Sequence, residues 1–234
     1  PVFMEDPSLV GPVKECEVYM QAVSNEEQML WREAYDTYQD YLTTYPNGSH
    51  AKQSHQHSGI SLMRITEQQF ELKQFEAALS NLKLITSSYH DTSVITAAWE
   101  FYPQVYMSWG SELREGGDFE QAVQIFSDYK VWGETNQKPE WAADATRELA
   151  QSYLQWGLAL LSQKEFELAL AKFDLALSAD KHSQTNFLED VKSGQRQVYI
   201  EWGNELMESA QFSSAIEKFE RGVALLGENG DDTT

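Results

Sequence analysis

Three histidines, His50, His55 and His57, fall within eight residues, and imidazoles so close together raise the chemistry of a zinc site. Helical geometry argues against it. On a helix His55 and His57 project about 200° apart, whereas zinc ligands on a helix stand four residues apart on one face or take a third ligand from elsewhere. A polar helix start facing water is expected. Glu112, Glu115, Asp118 and Glu120 crowd another stretch. General acid and base work needs two carboxyls held in a pocket with their pKa values driven apart by burial. No such pair is visible, and acids in the first turn of a solvated helix account for the cluster. No serine sits in a Gly-x-Ser-x-Gly elbow or beside a candidate His base, and no GxGxxG or Walker-type loop occurs. Cys16, the single cysteine, can build neither a disulfide framework nor a thiolate cluster. The expectation is a chain without catalytic residues, metal or cofactor.

Charge narrows the partners. Thirty-seven acidic against 17 basic residues give a formal charge of −20, the wrong sign for displacing counterions from nucleic-acid phosphates or for meeting an anionic membrane. No apolar run is long enough to span a bilayer, so no direct membrane insertion is expected of this segment. A start at Pro1-Val2-Phe3 and the run Glu228 to Thr234 suggest an excised piece of a longer protein, with 228–234 as a disordered tail.

The elements that must position any site follow from a repeat. Trp-Gly recurs at Trp109-Gly110, Trp156-Gly157 and Trp202-Gly203, spaced 47 and then 46 residues apart. Three residues before each Trp stands Tyr106, Tyr153 or Tyr199, and four after it Leu113, Leu160 or Leu206, which is one face of a helix. Ten residues beyond each Trp a second signature begins: Phe119, Ala122 and Phe126, then Phe166, Ala169 and Phe173, then Phe212, Ala215 and Phe219. Short polar or Gly-bearing stretches between the two faces suit a tight helical hairpin. The same grid runs backwards through Leu62, Ile65, Phe75, Ala78 and Leu82, and then through Trp31, Ala34, Tyr38 and Tyr41. All of these rings, glycines and alanines, Trp31 and Phe75 included, are expected to form the structural core. Their period ties the tryptophans to packing rather than to a ligand.

This spacing resembles the tetratricopeptide repeat family. Tyr153, Trp156, Gly157, Leu160, Phe166, Ala169, Phe173 and Ala176 fill every signature position of that family. The resemblance implies an all-α, right-handed solenoid of stacked antiparallel helix pairs in a single domain. Its five repeats would span approximately 12–45, 49–90, 92–134, 139–180 and 184–227. The repeat is longer than the family's period of about 34 residues, and the extra residues look helical, so elongated first helices are expected. Thr66 stands where the family has Gly, and Gln21 and Asn25 where it has apolar residues. The stretch Tyr38 to Ala51, with Tyr45-Pro46-Asn47-Gly48, is similar to the inter-repeat join of bacterial envelope members. That likeness favours an extracytoplasmic, periplasmic or cell-surface setting over a cytoplasmic one.

The resemblance also implies where a partner would sit. Family members line an inner wall with first-helix residues one step off the packing face, here Met63, Met107, Leu154 and Ile200. Phe70, Leu158, Leu161 and Met207 lie one or two turns on, with Gln104, Gln151 and Gln197 beside them. Few Lys or Arg accompany them, which does not fit a clamp for a C-terminal carboxylate. The expected function is a non-catalytic scaffold presenting a concave groove to a peptide or helix. Self-association, or a structural spacer in a larger, membrane-anchored envelope protein, is the alternative.

Overall fold

The computed structural model describes residues 7–179 and 185–227. Ten helices follow one another: α1 (Pro7–Glu27), α2 (Trp31–Thr44), α3 (Ala51–Glu71), α4 (Phe75–Ser88), α5 (Ile95–Glu115), α6 (Phe119–Thr135), α7 (Pro139–Ser162), α8 (Phe166–Ala179), α9 (Thr185–Glu208) and α10 (Phe212–Gly227). Among the described residues all regular structure is helical. Each odd-numbered helix has 21 to 24 residues and each even-numbered one 14 to 17. This is the all-α, solenoid-type arrangement of five sequential helix pairs, with elongated first helices. The expected tail, 228–234, lies outside the described residues.

The chain divides into two compact units, Pro1–Val105 and Tyr106–Thr234, and the division falls inside α5. In the first unit α1 packs on α2, α2 on α3 and α3 on α4; in the second α6 packs on α7, α7 on α8, α8 on α9 and α9 on α10.

One device closes the first helix of every pair. Met29, Lys73, Gly117, Lys164 and Ala210 take φ between 57° and 82°. The N–H of the next residue then returns to a carbonyl in the last turn: Leu30 to Asn25, Gln74 to Gln69, Asp118 to Leu113, Glu165 to Leu160 and Gln211 to Leu206, at 2.8 to 3.0 Å. These bonds satisfy carbonyls that the helix end would otherwise orphan. Of the five positions only 117 carries Gly, the residue for which this conformation is free of strain.

The second unit is built on phenylalanine. Phe126 and Phe173 are fully buried, and each ring lies against a glycine of the preceding helix, Gly110 and Gly157. A Cβ at Gly157 would stand 2.7 Å from the Phe173 ring, and one at Gly194 on α9 would stand 2.6 Å from it. Small residues at these places let three helices close on a single ring. In the first unit the corresponding ring is Tyr38, which packs with Ala22 and Ala34. Its off-pattern polar positions satisfy one another. Gln21 donates to Asn25 (2.9 Å), Asn25 donates to the Thr37 hydroxyl (3.2 Å), and the Thr66 hydroxyl donates to the Leu62 carbonyl (2.7 Å).

Candidate functional site

The histidines are not a solvated helix start. They are half-buried, and each has a packing partner. His50 stacks on Tyr19 with centroids 4.1 Å apart. His55 stacks on Tyr89 and places Nε2 3.1 Å from an Asp91 carboxylate oxygen. His57 Nδ1 lies 2.9 Å from Glu26 Oε2, to which the Tyr38 hydroxyl also donates at 2.7 Å. Nearby, Glu15 Oε1 accepts from the Tyr41 hydroxyl and from the N–H and hydroxyl of Ser49, at 2.6 to 2.8 Å. The Tyr41 hydroxyl, with Ser49, holds the Glu15 carboxyl below the usual carboxylate range, and the His55 bond does the same for Asp91. Burial pushes the Tyr89 hydroxyl up to about 12. These groups tie α1, α2, α3 and the α4–α5 join together within the first unit. Among the described residues no group of three His, Cys, Asp or Glu is placed to hold a metal ion.

The acidic stretch has a local explanation too. Asp118 caps α6, its carboxylate accepting from the N–H of Gln121 at 3.3 Å. Arg114, at the end of α5, donates to the Glu148 carboxylate on α7 at 2.7 Å.

The tryptophans are half-buried, and Trp156 and Trp202 are stacked. Trp156 has Phe119 parallel to it at 6.3 Å and the Lys172 ammonium over its ring at 3.4 Å. Trp202 repeats the arrangement with Phe166 at 5.6 Å and Lys218 at 3.5 Å. The ring stack joins consecutive repeats, α6 to α7 and α8 to α9, while the cation–π contact joins the two helices of one repeat, α7 to α8 and α9 to α10. Burial depresses the Lys172 pKa.

Residues expected to line a groove divide by burial. Met63, Leu154 and Leu161 are buried. Leu154 and Leu161 sit in one cluster with Phe166, Val191 and Val198, to which α7, α8 and α9 all contribute. Phe70 is half-buried, edge-on to Phe75 and Phe101. Met107 and Gln151 are half-buried, and Gln104 and Gln197 are exposed. Leu158 on α7 and Ile200 and Met207 on α9 remain open to solvent, Ile200 by 50%. One expected core residue also differs. Phe212 is 57% exposed whereas its counterpart Phe166 is 5% exposed, because Trp202 of the next helix covers Phe166 and no described helix follows α10. Tyr153, Tyr199, Phe119 and Phe219 are half-buried, and Tyr106, Phe75, Ala122, Ala169, Ala215 and the three Trp-Gly glycines are buried.

Residues 18–48, from the second half of α1 through α2 and the following join, match the family model described as a tetratricopeptide repeat. The helices succeed one another as five pairs, an architecture of that repeat's type. No curated protein matches the chain. Among solved structures it is similar to BtubC (BKLC) from P. vanneervenii, at 15% identity and a TM-score of 0.29 over 98% of this chain and 86% of that one. It is also similar to the TPR2AB-domain:pHSP90 complex of yeast Sti1, at 12% identity and a TM-score of 0.22 over 93% of each chain. No helix among the described residues is long and apolar enough to cross a membrane.

Proposed function

We propose that this chain is a non-catalytic interaction module that holds another polypeptide against the first helices of its second unit. Supporting this reading is one observation: Leu158, Ile200 and Met207 stay in solvent on α7 and α9, at positions the packing grid does not use. Gln197 stands beside them as a neutral hydrogen-bonding group. The contact surface is thus mostly neutral and apolar, within a chain of charge −20 that speeds encounter with basic partners. Leu154→Glu is the wrong probe, because it forces a carboxylate into the core. Ile200→Glu and Leu158→Glu alter only exposed surface. Peptides selected on the wild-type protein from a displayed random library should lose binding to both variants, while helicity and melting temperature hold. Peptides indifferent to both substitutions would remove this surface from the function.

A further inference from the structure

The join between α2 and α3 runs Tyr45-Pro46-Asn47-Gly48-Ser49-His50, and the join between α4 and α5 repeats its conformation with Tyr89-His90-Asp91-Thr92-Ser93-Val94. In each, the N–H of the fourth residue returns to the carbonyl of the first, Gly48 to Tyr45 at 2.9 Å and Thr92 to Tyr89 at 3.0 Å. This is a β-turn. It accepts a carboxylate at its third place and a β-branched side chain at its fourth, since the second join carries Asp91 and Thr92 there. The first join has no room for the side chain. A Cβ on Gly48 would stand 2.6 Å from Glu15 Oε1, the oxygen that accepts from the Tyr41 hydroxyl and from Ser49. The clasp that ties α1 to this join therefore requires glycine at 48, directly after an exposed asparagine. Among the described residues no other Asn precedes Gly.

Such a pair is chemically labile. With no side chain on residue 48 to obstruct it, the Gly48 nitrogen, once hydroxide has taken its proton, can attack Cγ of Asn47. The new N–Cγ bond closes a succinimide ring, and Nδ2 takes a proton from water and leaves as ammonia. Water then opens the ring at either carbonyl, giving aspartate, or isoaspartate with the main chain routed through the side-chain carbon. In the folded chain the attacking nitrogen is restrained. Every N–H from Gly48 to Ala51 is bound: Gly48 to the Tyr45 carbonyl, Ser49 to Glu15, His50 to the Tyr41 hydroxyl at 3.0 Å and Ala51 to the Gly48 carbonyl at 3.1 Å.

We propose that Asn47-Gly48 is a self-modification site of the first unit, held in check by the clasp of Glu15, Tyr41 and Ser49. Its two products differ in effect. Aspartate reproduces what the second join already has at this place and leaves the turn intact. Isoaspartate adds a main-chain carbon just before Gly48, draws Ser49 off Glu15 and frees α1 from the join.

Peptide mapping by mass spectrometry, during incubation of the whole protein at mildly alkaline pH, reads the reaction as the mass gained when an amide becomes a carboxylate. A synthetic peptide of residues 41–51 sets the unrestrained rate. Conversion at Asn47 in the native protein should be at least about tenfold slower, the scale of a modest local opening. Glu15→Ala and Tyr41→Phe should each bring the rate toward that of the peptide, at temperatures where melting curves show the variant folded, and Asn47→Gln should abolish the mass gain. Protein carrying isoaspartate should exchange amide hydrogens in α1 faster than protein carrying aspartate. A native rate equal to the peptide's, a site that stays unreacted in wild type and variants alike, or a rate that neither variant changes overturns the proposal. Equal exchange in α1 for the two products would overturn the loosening of α1.

Discussion

The two units use one scaffold and two adhesives. At the position where the second unit buries Phe126 and Phe173 against glycine, the first buries Tyr38, whose hydroxyl donates to Glu26, itself in contact with His57. Tyr41 donates to Glu15, and Tyr89 lies within hydrogen-bonding distance of Ser58 and Gln39. Among the described residues the second unit replaces most of this with stacked rings: Phe119 on Trp156, Phe166 on Trp202, and Trp132 on Trp141 at 5.1 Å. The difference teaches that the large side chain wedged at this position is free to vary in chemistry: phenyl in the second unit, phenol at Tyr38 and, at Leu82 of α4, no ring at all. A hydroxyl adds directional bonds and titratable partners; a bare phenyl adds area and insensitivity to pH.

The largest way to break the comparison is to remove the wedges. Phe173→Ala should cost about 3–5 kcal/mol, because it deletes a fully buried ring and leaves a cavity among three helices. Tyr38→Phe keeps the ring and loses one bond to a carboxylate, and should cost about 1–3 kcal/mol. Denaturant melts of the two variants give both values, and equal costs would mean that the hydroxyl rather than the ring carries the first unit. Acid should separate the units next. Glu15 and Asp91 have folded pKa values below their ordinary ones, so their contribution is full above the usual carboxylate range and fades as pH falls through the folded values. Hydrogen exchange should show protection in α1 to α4 declining between about pH 5 and about pH 3 before protection in α7 and α8 does. Simultaneous loss would contradict the division of chemistry. The smallest effect tests what the units share. Lys73→Gly in one and Lys164→Gly in the other relieve the same left-handed backbone and should each add up to about 1 kcal/mol, readable as matching rises in melting temperature.

Much of this architecture was legible because its grammar is local. The Trp-Gly pairs and the Phe, Ala, Phe spacing mark helix faces, and a helix is found at each of them. What escaped depends on neighbours. Phe212 has the same local signature as Phe166, but burial at this position comes from the following helix, which a single repeat does not encode. Leu154 and Leu161 lie one step off the packing face, yet they are buried in the cluster that α8 and α9 complete with α7. The histidine contacts were hidden for a similar reason. Tyr19 and Glu26 lie on α1 and Asp91 in the join after α4, and their reach to His50, His57 and His55 is set by packing rather than by spacing. Residues 18–48, where Gln21 and Asn25 depart from the apolar pattern, are nevertheless the segment that matches the family model.

Phe173 is pinched from both sides, by Gly157 of α7 and Gly194 of α9, so one benzene ring is the common rivet of three successive rods. Drawing any one of those rods away strips contact from the other two through that ring, so α7, α8 and α9 are coupled in their resistance to a pull along the polypeptide.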